Sequence, residues 1–113
     1  MATIAYLDID QGSDFSAIIE LENDNGTPMN LSGFLVYSQF RKSYGSTIGY
    51  PLNPVVLNPS LGTIKLSLSG VASSAIKPGR YLYDIEIINT VLQIKTRVIE
   101  GVVTINAEIT KIP

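Results

Sequence analysis

Apolar and polar residues alternate with a period of two along most of the chain. In residues 14–22, Phe15, Ala17, Ile19 and Leu21 fall on one face and Ser16, Ile18, Glu20 and Glu22 on the other, the pattern of a strand buried on one side. Residues 3–10 read as a further extended segment, with Gln11 and Gly12 predicting a kink between two stretches of one edge strand. Residues 34–41 alternate Phe34, Val36, Ser38 and Phe40 against Leu35, Tyr37, Gln39 and Arg41, and either set can face inward. A short strand at 55–57 stops at Asn58 and Pro59, and Ile64, Leu66 and Leu68 give 63–69 an inward stripe. Tyr81, Tyr83, Ile85 and Ile87 share a face of 81–88, and two more strands are predicted at 91–100 and 102–109, with Gly101 as a break or bulge between them.

Turn signals separate these runs. Asn23-Asp24-Asn25-Gly26 is a strong turn, because Asn, Asp and Gly tolerate positive φ and the Asn and Asp side chains bond the local backbone. Pro28, Ser32 and Gly33 extend that loop. Residues 42–54 carry Gly45, Gly49, Pro51 and Pro54 without usable periodicity and are predicted as one long loop. Residues 70–76 are the sole helix candidate, with Ser73 or Ser74 as a local cap. Lys77-Pro78-Gly79-Arg80 is a tight turn. Seven or eight strands at intervals of about 10 residues predict an all-β fold, an immunoglobulin-like antiparallel β-sandwich. A tyrosine soon after a turn, at the start of a late strand, fits a tyrosine corner, in which the hydroxyl bonds back to the backbone. Tyr81 and Tyr83 both occupy such a place.

The 113 residues fit one domain, 1–113, since domains typically run about 100–150 residues. The chain has no cysteine, histidine or tryptophan. That removes disulfides, thiol nucleophiles, zinc–thiolate sites and the commonest general base and metal ligand. Eight basic against ten acidic residues leave a net charge of −2, no footprint for a nucleic acid. Charged residues make up 16%, against about 25% in ordinary soluble domains, and mean hydropathy is +0.24. Some apolar surface is therefore expected to meet another chain, as in a homo-oligomer. No apolar run approaches the roughly 20 residues of a membrane span, and residues 1–5 lack the pattern of a signal peptide. Synthesis in a cytoplasm is the expectation.

Candidate chemistry is thin. Asp8 with Asp10, and the turn Asn23 to Gly26, are the local oxygen clusters, but neither has the later bidentate carboxylate of a calcium loop. The carboxylates lie in turns or opposite apolar stripes, and nothing pairs two of them across a cleft. No metal, no cofactor and no catalytic residue is expected. The segment Lys42-Ser43-Tyr44-Gly45-Ser46-Thr47-Ile48-Gly49-Tyr50 has the composition of a binding loop, in which tyrosine supplies rigid area and Ser and Gly adaptable contacts. Tyr44, Ile48 and Tyr50 are candidates to dock a protein or stack a sugar; a solvated connector is the plain alternative. Ile18, Ile88, Val91 and Val102 lie opposite the assigned core stripes and are candidate contact residues, unless the phase is inverted.

The order of motifs resembles a known family. An early Asp8-Ile9-Asp10-Gln11-Gly12-Ser13-Asp14-Phe15 is followed by Asp24-Asn25-Gly26-Thr27-Pro28, Leu31-Ser32-Gly33-Phe34 and Gly62-Thr63-Ile64-Lys65-Leu66. Then come Pro78-Gly79-Arg80-Tyr81-Leu82-Tyr83-Asp84-Ile85-Glu86 and Arg97-Val98-Ile99-Glu100-Gly101-Val102. This is similar to the small immunoglobulin-like domains of tailed-bacteriophage structural proteins, including the N-terminal domain of upper-baseplate proteins of lactococcal phages. The most specific element is Gly-x-Tyr-x-Tyr-Asp-Ile-Glu with Arg-Val-x-Glu-Gly; the resemblance spans almost the whole chain. It implies a non-enzymatic virion component of the tail, baseplate or neck, made in the host bacterial cytoplasm and packed against other virion proteins. Gly33, Gly79 and Gly101 would then serve turns or a bulge, and Tyr81 and Tyr83 the corner. Relatives often continue into fibre or receptor-binding parts, and the sequence here ends soon after Thr110, which favours a small adaptor or a capsid decoration protein. A module binding a host glycan is the rival from another class.

Overall fold

The computed structural model describes residues 3–110; Met1 and Ala2, part of the segment considered for a signal peptide, and the last three residues of the expected 1–113 domain lie outside them. Eight strands form two sheets: β1 (Thr3–Asp10), β2 (Phe15–Glu20), β3 (Phe34–Arg41), β4 (Tyr50–Pro51), β5 (Val55–Asn58), β6 (Thr63–Leu68), β7 (Gly79–Asn89) and β8 (Lys95–Asn106). One sheet has the order β1-β8-β7-β3-β4 and the other β2-β6-β5. The neighbours β2-β6-β5 and β8-β7-β3 have the order B-E-D and G-F-C of immunoglobulin sandwiches. Pairing is antiparallel except at β1, which runs parallel to β8 from Thr3 beside Ile99 to Asp10 beside Asn106.

The core follows the period of two. Phe15, Ala17 and Ile19 of β2, Ile64, Leu66 and Leu68 of β6, and Tyr81, Tyr83, Ile85 and Ile87 of β7 point between the sheets. On β3 the inward set is Phe34, Val36, Ser38 and Phe40. Ser38 is tolerated there because its hydroxyl donates to the Asp84 carbonyl at 2.7 Å, leaving no unpaired buried donor.

Several elements differ from the sequence expectation. Gln11 and Gly12 do not kink one edge strand; they carry the chain from β1 in one sheet to β2 in the other. That crossover is tied to the helix α1 (Gly70–Ser74). Gly12 N donates to Ser73 Oγ at 2.9 Å, Gln11 Nε2 to the Ile76 carbonyl at 3.0 Å and Gly70 N to Asp14 Oδ1 at 2.6 Å. Ser73 is thus spent on the crossover, and the N-cap of α1 is Ser69, whose Oγ accepts from Ala72 N. Residues 42–54 are not loop throughout. They hold β4 and a fully buried Leu52, whose N–H donates to Ser38 of one sheet and whose carbonyl accepts from Ser67 of the other. Prolines conceal this edge strand, since they suit sheet edges yet break the pattern that announces a strand.

The last two predicted strands are one. β8 runs unbroken through Gly101, and the register shift opposite Ile85 and Glu86 falls at Val98. Gly101 serves close approach instead: a Cβ there would collide with the Ala5 carbonyl oxygen of β1 and stand 3.0 Å from the Tyr83 ring.

Candidate interaction surfaces

An aromatic cluster closes the sandwich where β3, β4 and β7 meet. Phe40 and Tyr50 have ring centroids 5.2 Å apart, and Tyr81 meets Phe40 edge-on at 5.5 Å and Tyr50 at 6.1 Å. Such contacts add about 0.5–1.5 kcal/mol each beyond the area buried. The Tyr81 hydroxyl donates to the Lys77 carbonyl at 2.6 Å, four residues back, in the manner of a tyrosine corner. Lys42 Nζ lies 4.9 Å from the centre of the Tyr81 ring and donates to the Arg80 carbonyl at 3.1 Å. Burial, and secondarily Tyr50, raise the pKa of Tyr81. The Tyr83 hydroxyl is buried without a partner among the described residues, and burial pushes it up to about 12.

The same cluster changes the reading of the loop ahead of β4. Tyr44 is 79% exposed and Ile48 also projects to solvent, on a loop pinned by Arg41 Nη1 donating to the Ser46 carbonyl at 2.8 Å. Tyr50, expected to be a partner of Tyr44 on an outward loop, is instead half-buried against Phe40 and Tyr81. The loop therefore presents one tyrosine and no paired platform for a sugar ring.

The outer face of the larger sheet alternates charged and apolar rows, beginning with Asp8, Thr104 and Arg80 across β1, β8 and β7. Tyr6, Val102 and Leu82 stand in register across β1, β8 and β7, with Tyr6 71% exposed. Toward the opposite end Leu35 pairs with Ile88; Leu35 is exposed and Ile88 half-buried. Between them Arg97 Nε meets Asp84 at 3.1 Å and Nη1 meets Glu100 at 3.3 Å. A depression of about 430 Å³ lies here, between Arg41, Tyr44, Leu82 and Arg97.

Val91 does not begin a strand. It sits 84% exposed on the turn between β7 and β8, beside exposed Leu92 and Ile94. Asn89 Oδ1 accepts from Val91 N and Leu92 N, both at 2.9 Å, and the Gly33 carbonyl accepts from Thr90 N and Thr90 Oγ1. Gly33 reaches this position with φ +80, a backbone open to glycine at little cost. Gly79, with φ +143, starts β7. On the smaller sheet Ile18 is 65% exposed, in line with Lys65 and an exposed Val55. Sequence reasoning named Ile18, Ile88 and Val91 but not Tyr6, Leu35, Tyr37, Val55, Leu92 or Ile94. The Leu35 and Tyr37 signal was present as the second stripe of β3, with no means of choosing the inward side.

The oxygen-rich turn is committed to its own geometry: Asn25 Oδ1 accepts from Thr27 N and Thr27 Oγ1, and Asn23 Nδ2 donates to the Pro28 carbonyl. Asp10 on β1 accepts from Asn106 Nδ2 at 3.2 Å.

No protein-family model matches the chain, and no curated protein matches it. Among solved structures it is similar to the N-terminal domain of phage TP901-1 ORF48, with a TM-score of 0.63 over 90% of this chain and 85% of that one, at 10% identity. At that identity the likeness is one of fold, and it extends over both sheets.

Proposed function

We propose that this domain is a structural component of a bacteriophage particle, in the tail, baseplate or neck, and that it acts by protein–protein contact without catalysis. The observation that carries the reading is the fold shared over 90% of the chain with the N-terminal domain of a phage protein. The motif order from Asp8 to Val102 supports it independently. So does the surface: Tyr6, Ile18, Leu35, Tyr44, Val91 and Leu92 are held outward on strands and hydrogen-bonded turns, where a monomer gains nothing from them and an interface does. On this reading the chain is made in the host cytoplasm and ends in the virion beside other virion proteins.

Quantitative mass spectrometry of gradient-purified particles tests the reading. The expected result is a fixed copy number, on the order of 6 to 18 for a ring of the tail or neck and hundreds for decoration of a head. A chain abundant in the producing cells and missing from the particles overturns it.

A further inference from the structure

The smaller sheet has an open place at one edge. In immunoglobulin sandwiches a further strand lies beside strand B, the position held here by β2. The described residues ahead of β2 form β1, which pairs with β8 of the other sheet, so β2 has β6 as its single strand neighbour. Leu21 N donates to the Gly62 carbonyl, one step beyond the β2–β6 register. Successive residues of a strand turn their backbone groups to opposite sides, so Phe15, Ala17 and Ile19 bond toward β6 as Leu21 does. The N–H and C=O groups of Ser16, Ile18 and Glu20 face the open edge.

The core is thin along this edge. Phe15, Ala17 and Ile19 are half-buried, although their partners Leu68, Leu66 and Ile64 on β6 are buried, and on the outer side Ile18 is exposed. The other three edges offer less. β1 already buries Leu7 and Ile9, β4 is two residues long and holds Pro51, and β5 lies between Pro54 and Pro59 with a register shift between Val56 and Asn58. Prolines and bulges protect an edge from other chains; β2 has no proline and no lysine. Charge beside it has one sign, since residues 14–24 carry Asp14, Glu20, Glu22 and Asp24 and no base. Asp14 accepts from Gly70 N. Glu20, Glu22 and Asp24 are exposed, and the ion pairs among the described residues are those of Arg97. Lys65 stands beside Ile18 on the β6 side, away from the open edge.

We infer that this place receives an extended segment of another protein, apolar at alternate positions and basic at those between, added as a strand beside β2. The inference deepens the assembly reading and rests on it for the source of the segment. The backbone of the segment pairs with Ser16, Ile18 and Glu20, as in other strand additions. Its apolar side chains face inward and cover Phe15, Ala17 and Ile19. Its basic side chains face outward, laying aliphatic stems over Ile18 and carrying their charged ends toward Glu20 and Glu22. A second copy fits poorly. In an antiparallel pair of β2 strands centred on Ala17, Ile18 or Ile19, Asp14 falls opposite Glu20, Glu22 or Asp24 in turn, and like charges directly opposite destabilise a sheet.

The probe is a capped peptide of about seven residues alternating lysine and valine, and the readout is amide hydrogen exchange of the full chain. Without peptide, the Ser16, Ile18 and Glu20 amides are expected to exchange freely and those of Ala17 and Ile19 to be protected. In about 1 mM peptide the three free amides slow about tenfold, and a peptide of glutamate and valine leaves them unchanged. The double variant Glu20→Lys and Glu22→Lys reverses that preference; both side chains are exposed, and circular dichroism verifies its fold. Exchange unmoved by the lysine peptide, or slowed equally by both peptides, or a preference unchanged in the double variant, overturns the inference. So does a wild type that protects these amides by associating with itself, because the occupant is then a second copy. Such a failure leaves the virion reading standing if particles contain the chain; success with particles lacking it sinks the virion reading alone.

Discussion

Tyr81 and Tyr83 point the same way from β7, and their hydroxyls meet different fates. Tyr81 donates to the Lys77 carbonyl; Tyr83 is buried without a partner among the described residues. A hydrogen bond of this kind contributes about 1 kcal/mol, whereas an unpaired buried polar group costs about 1–3 kcal/mol. Tyr81→Phe is therefore expected to lower the urea-unfolding free energy by about 1 kcal/mol, and Tyr83→Phe to leave it unchanged or raise it. pH sharpens the contrast. Tyr83 ionises near 10 when unfolded and at about 12 when folded, so the folded state holds its proton more tightly. Below pH 10 this changes nothing, and between 10 and 12 stability falls by up to about 1.4 kcal/mol per unit. The Tyr83→Phe chain should have a visibly flatter stability profile above pH 10. Both tyrosines were legible as candidates for the corner, but the choice depends on the path of the chain through Pro78 and Gly79, which no spacing encodes. Gly101 was misread for a related reason. A glycine in a strand signals a bulge or a close approach equally well, and only the position of Ala5 on β1 decides. Gly101→Val should therefore cost more than about 2 kcal/mol in the same urea experiment, by forcing β1 away from β8.

At the scale of elements, alternation placed the inward stripes of β2, β6 and β7 correctly because each faces one core and one solvent side. It failed where local bonding outweighs the pattern. Val91, Leu92 and Ile94 continue an apolar rhythm, yet Asn89 captures two backbone N–H groups and Gln93 adopts φ +58, so the segment turns. Asn89→Ala should destabilise the domain by about 1–2 kcal/mol in thermal unfolding. The double variant Val91→Lys and Leu92→Lys should stay within about 0.5 kcal/mol of wild type while binding less of a dye that reports exposed apolar surface. Equal loss of stability in that variant would mean that the turn residues serve this chain's own fold and not a partner. The hidden β4 has the converse cause: Tyr50 and Leu52 belong to the core, but Pro51 between them and the glycines before them leave only the composition of a loop.

For the molecule as a whole, the low charge fraction pointed toward assembly from composition alone. How the charge is distributed was equally present in the sequence, six acids before Asn25 and five bases over the following residues to Tyr83. The strand order mixes those charges: Arg80 of β7 shares a row with Asp8 of β1 through Thr104 of β8, and Lys65 of β6 stands beside Ile18 of β2. Nothing in a linear pattern announces that neighbours in sequence become the edges of two different sheets. The surface residues proposed for contact belong to the same account. An electron-microscopy map of the intact particle tests that account most directly. It predicts repeated copies of this sandwich in a tail, baseplate or neck ring, with exposed Tyr6 and the Tyr44 loop buried against neighbouring protein. A particle map in which every density is accounted for by other chains would contradict it.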